Sequence, residues 1–150
     1  MKLAEALQER ADLNIRISQL STRLQNNATV QEGEEPAEDP QELLKELDGC
    51  ITRLEELIAR INLTNCQTTD NGVSITQLIA KKDTLRVKLC AYRDFIYYAS
   101  QTAMRAARTE IKILSSVDVR AIQKQVDALS KELRETDNKI QALNWTTELI

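Results

Sequence analysis

The sequence predicts an all-α protein: an antiparallel bundle of four long helices, or a pair of long helical hairpins, built as a single helical domain over residues 1–150. Three observations lead there. Leu, Glu, Lys, Gln, Arg and Ala dominate and favour helix, whereas three Gly and two Pro leave little material for turns and strands. Apolar residues recur three and four apart over four stretches of roughly 25 residues, each about 37 Å long as a helix. Polar segments without that period separate the stretches. They place helices at about residues 2–25, 40–63, 74–103 and 118–143, with long connectors at 26–39 and 104–117.

The first helix carries Leu3, Ala6, Arg10, Leu13, Ile17, Leu20 and Leu24 on a heptad seam widened by Leu7, so one seam position is charged. The connector NNATVQEGEEPAED follows. Asp39 before Pro40 is a strong helix start, an N-cap with proline at the first helical position. The second helix has two seams: Leu43, Leu47, Cys50, Leu54, Leu57 and Ile61 on one, and Leu44, Ile51 and Ile58 beside it. Two seams imply two neighbours. A polar turn ending in Asn71-Gly72 leads to the third helix, which Ser74 can cap and whose stripe is Ile75, Leu78, Leu85, Leu89, Tyr92, Ile96, Ala99 and Ala103.

Four of the five aromatic residues, Tyr92, Phe95, Tyr97 and Tyr98, crowd into the last third of that helix. Being apolar nearly all round, this end is expected to be enclosed, with the two connectors as a cap over it. Residues 29–32 and 111–114 look extended and are candidates for a short two-stranded ribbon in the connectors. Asp118 caps the fourth helix, whose seam is Val119, Ile122, Val126, Leu129, Leu133, Thr136, Ile140 and Leu143.

The formal net charge is −3 with both signs interspersed, no electrostatic footprint for nucleic acid or an anionic membrane. No apolar run is long enough to span a bilayer, and Met1 leads straight into an amphipathic pattern, so no stable membrane insertion is expected. Three widely spaced cysteines, Cys50, Cys66 and Cys90, suit reduced thiols in the cytoplasm. Cys50 and Cys90 fall on apolar faces as small core residues, and Cys66 is the more exposed thiol. Asn27, Asn62 and Asn144 match the glycosylation pattern only by chance in such a chain.

Chemistry is sparsely represented. The chain has no histidine, which removes the commonest general base and transition-metal ligand. It has no glycine-rich phosphate loop and no Cys-x-x-Cys pair, and neither a catalytic residue nor a cofactor is expected. Two charged groupings stand out. Arg10 and Lys82 occupy seam positions, where charge is expensive unless paired; an antiparallel register brings them near the level of Glu55, Glu56 and Asp83, with Asp137 within about a turn. That is a polar layer fixing register, or a buried anion-binding or proton-handling site. In the connectors, Glu32, Glu34 and Glu35 form a carboxylate cluster that could face Arg105, Arg108, Glu110 and Lys112, or hold Mg²⁺, Mn²⁺ or Ca²⁺. No EF-hand spacing is present, and no metal site is expected.

The opening MKLAEALQERADLNIRISQL, the connector VQEGEEPAEDP, the segment TEIKILSSVDV and the ending IQALNWTTEL together resemble the septicolysin-like family of small helical bacterial proteins. The resemblance spans nearly the whole chain. It implies a small helical fold, and through the family name a cytolysin, with no site residue carried over.

Three functions compete. The first is a non-enzymatic cytoplasmic helical protein that assembles with itself, with Leu44, Ile51, Ile58, Phe95, Tyr97 and Tyr98 as interface candidates, because helix two and the aromatic end carry more apolar surface than a bundle buries. The second is a membrane-active toxin whose amphipathic helices rearrange on lipid. The third is a ligand- or metal-binding protein with its site under the connector cap.

Overall fold

The computed structural model describes residues 1–102 and 111–150. It contains α1 (Leu3–Asn26), α2 (Pro40–Gln67), β1 (Thr69–Asp70), β2 (Val73–Ser74), α3 (Ile75–Ala99) and α4 (Val119–Thr146). Each helix lies within a few residues of the span its periodicity predicts. The described chain divides into two compact units: Met1–Ser74 joined by Leu143–Ile150, and Ile75–Ala142.

The first unit is a helical hairpin. α1 starts where the Lys2 backbone N–H donates to Glu5 Oε2 at 2.7 Å, satisfying a donor that precedes the first turn. At its far end the buried Asn27 donates through Nδ2 to the Arg23 carbonyl at 2.9 Å and accepts the Glu38 N–H on Oδ1 at 3.0 Å. One amide thus ends α1 and folds the connector back on it. Asp39 Oδ1 then accepts from Gln41 N–H at 2.9 Å, with Pro40 in the first turn of α2, as the Asp-Pro pair predicts.

Leu3, Ala6 and Leu20 of α1 and Leu43, Leu57 and Ile61 of α2 are buried. Leu57 is 0 % and Ile61 1 % exposed, so the first seam of α2 is its core face. The C-terminal segment closes this unit. Leu3 N–H donates to the Thr147 carbonyl and Leu149 N–H to the Met1 carbonyl, both at 2.9 Å, forming an antiparallel bridge between Lys2 and Glu148. Ile150 N–H reaches Thr64 Oγ1 at 3.1 Å and Arg60 Nε donates to the Ile150 carbonyl at 2.8 Å.

A two-stranded ribbon exists, but between α2 and α3. Thr69 pairs with Ser74 and Asp70 with Val73, around Asn71 at φ 50° and Gly72 at φ 78°. Two successive positive φ angles twist the turn to match its strands, and Asn-Gly supplies them at least strain. Residues 29–32 and 111–114 are not strands. Extended-looking sequence needs a paired neighbour to accept its ladder bonds, and neither segment has a strand partner among the described residues.

The second unit pairs α3 with α4. Lys82 Nζ meets Asp137 Oδ1 at 2.5 Å, Lys81 meets Glu132 at 2.7 Å, and Arg93 Nη2 donates to Ser130 Oγ at 3.3 Å. Lys82 opposite Asp137 and Arg93 opposite Ser130 make the two helices antiparallel. Ile75, Leu78, Leu85 and Leu89 of α3 are buried with Val126, Thr136 and Ile140 of α4, all on the predicted seams. Asp118 Oδ1 accepts from the N–H groups of Arg120 and Ala121 at 3.0 and 3.2 Å, the predicted cap.

The aromatic end of α3 departs from expectation. Phe95 is 44 %, Tyr97 62 % and Tyr98 74 % exposed, and no described residue caps them. Tyr97 and Tyr98 meet each other edge to face at 5.3 Å. Among the described residues Tyr92, Ile96 and Ala99 continue the seam and are half-buried, and Ala103, the last residue of the predicted stripe, lies outside the described residues. Cys90 is likewise exposed rather than a core residue, its Sγ 3.9 Å from Asp94 Oδ2. It lies one position past Leu89, about 100° round the helix from the buried stripe.

Candidate functional site: ion-pair ladder, exposed stripe and cationic groove

Three features of the two units have the makings of a site. The first is a ladder of ion pairs along the α1–α2 hairpin. Glu9, Arg16 and Arg23 recur every seventh residue of α1 and meet Arg53, Glu46 and Glu38 respectively. Falling numbers on one side match rising numbers on the other, so the rungs register two antiparallel helices. Arg53 Nε and Nη2 hold the two Glu9 oxygens at 2.7 and 3.0 Å, while Nη1 reaches Glu56 Oε2 at 2.8 Å. Glu56 in turn accepts from Arg60 at 3.2 Å. The Arg53 hydrogen bonds hold the Glu9 and Glu56 carboxyls below their usual range, and the two carboxylates push the Arg53 pKa up.

The seam cation singled out by periodicity therefore has a different setting from its neighbour. Arg10 is half-buried and takes part in no ion pair among the described residues; its carbonyl accepts from Asn14 Nδ2 at 2.9 Å. Arg53 holds the charge pair instead. Glu55 is exposed and outside the ladder, and Glu56 belongs to it. In the second unit Lys82 is half-buried against Asp137, and Asp83 is exposed.

The connector cluster is distributed differently from its compositional appearance. Glu32, Glu34 and Glu35 are exposed, as is Lys112, and Arg105, Arg108 and Glu110 lie outside the described residues. Glu38 is the connector carboxylate that finds a cation: Arg23 Nε donates to both its oxygens at 3.1 and 3.0 Å and depresses its pKa. A depression of about 640 Å³ beside this pair is lined by Asp39, Glu42, Lys45 and Glu46. Glu46 is already held by Arg16. No group of three or more His, Cys, Asp or Glu side chains among the described residues is arranged to hold a metal ion.

The second feature is the outer stripe of α2. Leu44, Ile51 and Ile58 are 41, 46 and 41 % exposed, so the second seam is uncovered where the first is buried. Their even spacing of two turns puts about 10.5 Å between successive side chains on one face.

The third is a groove between α3 and α4 of about 330 Å³, with Lys82, Arg86 and Arg93 on one wall, Ser130, Arg134 and Asp137 on the other, and Leu89 and Leu133 at its base. Lys82 holds the Asp137 carboxyl below its ordinary range, with a lesser contribution from Arg86. The Lys82 contact is a charge contact rather than an aligned hydrogen bond, since Oδ1 is buried without a donor along its lone pairs. Arg86, Arg93 and Arg134 escape a search for seam periodicity, because they flank the stripe rather than sit on it. The available signal was charge one residue past a seam position: Arg86 after Leu85, Arg93 after Tyr92 and Arg134 after Leu133.

No curated protein matches the chain. It is similar over its whole length to a solved structure described as a functionally unknown conserved protein from Corynebacterium diphtheriae, with 40 % identity, a TM-score of 0.89, and 100 % of this chain and 99 % of that one covered. Neither comparison carries the septicolysin-like name. No described helix is long and apolar enough to cross a membrane. A family model matches residues 10–149, nearly the entire chain, and the protein belongs to that family of unknown function, DUF6847.

Proposed function

We propose that the protein is a non-enzymatic helical protein of the cytoplasm that assembles with itself through the outer stripe of α2. The observation that carries this reading is the exposure of Leu44, Ile51 and Ile58, spaced two turns apart along a well-formed helix. A row of exposed apolar side chains along one helix face is commoner at interfaces than on free monomers. A second copy of the chain is the occupant that fits the spacing. Because Leu44 and Ile58 lie symmetrically about Ile51, an antiparallel copy sets Ile51 against Ile51 and Leu44 against Ile58. That is the self-complementary pattern a two-fold axis requires.

Sedimentation at micromolar concentration tests it. An assembly larger than the 17.0 kDa chain is expected, and Ile51→Glu with Ile58→Glu should return it to monomer. A monomer in the unmodified protein would overturn the proposal. The cytolysin reading that accompanies the septicolysin-like resemblance is separated by dye-loaded vesicles: the assembled protein is expected to release no dye.

A further inference from the structure

We propose that the groove between α3 and α4 binds a small, multiply charged phosphate-bearing anion. The argument begins with where the arginines of this protein find carboxylates. On the first hairpin Arg16, Arg23, Arg53 and Arg60 are each paired with a glutamate. In the groove, Arg86 and Arg134 contact no carboxylate among the described residues, and Arg93 has only the neutral Ser130 hydroxyl. The contrast arises in a chain whose 23 acidic residues outnumber its 20 basic ones. Shortage of carboxylates therefore does not explain it.

Within the groove four cations face one carboxylate, Asp137, and Lys82 already occupies it at 2.5 Å. Asp94 lines an adjoining cavity together with Arg86 and Arg93, and its Oδ2 lies against Cys90. The remaining positive charge lies along the groove between two helices, on Arg86, Arg93 and Arg134, which are exposed and open to a ligand. Bringing like charges together in this way costs free energy that a bound anion recovers.

The side chains also match the geometry of phosphate. A guanidinium presents paired N–H donors to two oxygens of one phosphoryl group, and arginines on facing helices can take adjacent groups of a diphosphate. The Ser130 hydroxyl adds a neutral donor, and Leu89 and Leu133 offer an apolar base against which the organic part of a ligand can rest. The volume of about 330 Å³ lies at the lower end for ligand sites. A nucleic-acid strand would need a basic stripe extending along the surface, whereas here the charge is confined to one groove in a protein of net charge −3.

Calorimetry with inorganic pyrophosphate at constant ionic strength tests the proposal on the full chain. Saturable binding is expected, weakened at least about tenfold by Arg86→Gln with Arg134→Gln. Asp137→Asn should tighten binding, because it frees Lys82 for the ligand. Arg120→Gln, which alters an arginine outside the groove, should leave it unchanged. Thermal melts of each variant confirm that it is folded. Absence of saturable binding at millimolar pyrophosphate would overturn the proposal, as would equal losses from the groove variants and Arg120→Gln. Tighter binding of a single-stranded oligonucleotide than of pyrophosphate would overturn it in favour of nucleic acid.

Discussion

Arg53 grips both oxygens of Glu9 across the α1–α2 hairpin, at 2.7 and 3.0 Å, while its third nitrogen donates to Glu56. Arg10, one residue from Glu9, sits on the apolar seam and forms no ion pair among the described residues. Removing Arg53 would therefore strand Glu9 and leave Glu56 with Arg60 alone, and removing Arg10 strands none. Arg53→Ala is expected to lower the denaturant midpoint more than Arg10→Ala, whose loss is confined to the packing of its aliphatic stem. Equilibrium urea melts of the two variants at low salt decide the order. The gap should narrow at high salt, because the ladder is solvent-facing and screened.

The same pairs set how the protein responds to acid. The paired cations Arg53, Arg23, Lys82 and Lys2 depress the folded-state pKa values of Glu9, Glu38, Asp137 and Glu148 respectively. A depressed carboxyl contributes stability above its unfolded pKa, ordinarily about 4, and loses it as pH falls through the lower folded value. The urea midpoint should be level between about pH 7 and pH 5 and decline below about pH 4. Glu9→Gln should lower the neutral midpoint and flatten the acid limb. A midpoint that rises on acidification would contradict this assignment.

Periodicity made the helices readable because each buries one stripe, and the seams through Leu57, Leu85 and Ile140 are the buried ones. The caps at Asp39 and Asp118 were equally plain, since a short side-chain acceptor before a helical run has few other roles. The ribbon was misplaced because β-branched composition was weighed above turn chemistry. Asn71-Gly72 is the two-residue hairpin signal, and Ile111 and Ile113 have no strand partner among the described residues. The charge partners were hidden for a different reason. Periodicity gives the face of a helix but not its axial register, so it marked Arg10 on its seam and gave no sign that Arg53 stands opposite Glu9. The groove arginines were missed because charge beside a seam reads as ordinary solvated surface until a second helix supplies the facing wall.

Two glycines should respond to alanine with opposite signs. Gly72 has φ 78°, a left-handed conformation that costs an L-residue roughly 1–2 kcal/mol, so Gly72→Ala is expected to destabilise by about that amount. Gly49 lies inside α2, and a Cβ there would meet nothing within 4 Å. Gly49→Ala should stabilise by about 0.5–1 kcal/mol, through lower unfolded-state entropy and better helix propensity. Thermal melts of the two single variants test the pair, and shifts of the same sign would refute it.

The two faces of α2 lead to the last prediction. Leu57 is fully buried, so Leu57→Ala removes packed methyl groups and leaves a cavity, at a cost of about 2–5 kcal/mol at any protein concentration. Leu44 is 41 % exposed, and in an isolated chain Leu44→Ala should cost under about 1 kcal/mol. Self-association changes the second expectation but not the first. Partner binding stabilises the folded state by mass action, so the melting temperature of the unmodified protein should rise with concentration. Leu44→Ala should erase much of that dependence while leaving the dilute-limit stability nearly intact. Leu57→Ala should lower the whole curve and keep its slope. Melts over a hundredfold range of concentration distinguish the two patterns, and a concentration-independent melting temperature for the unmodified chain would mean that the outer stripe holds no second copy.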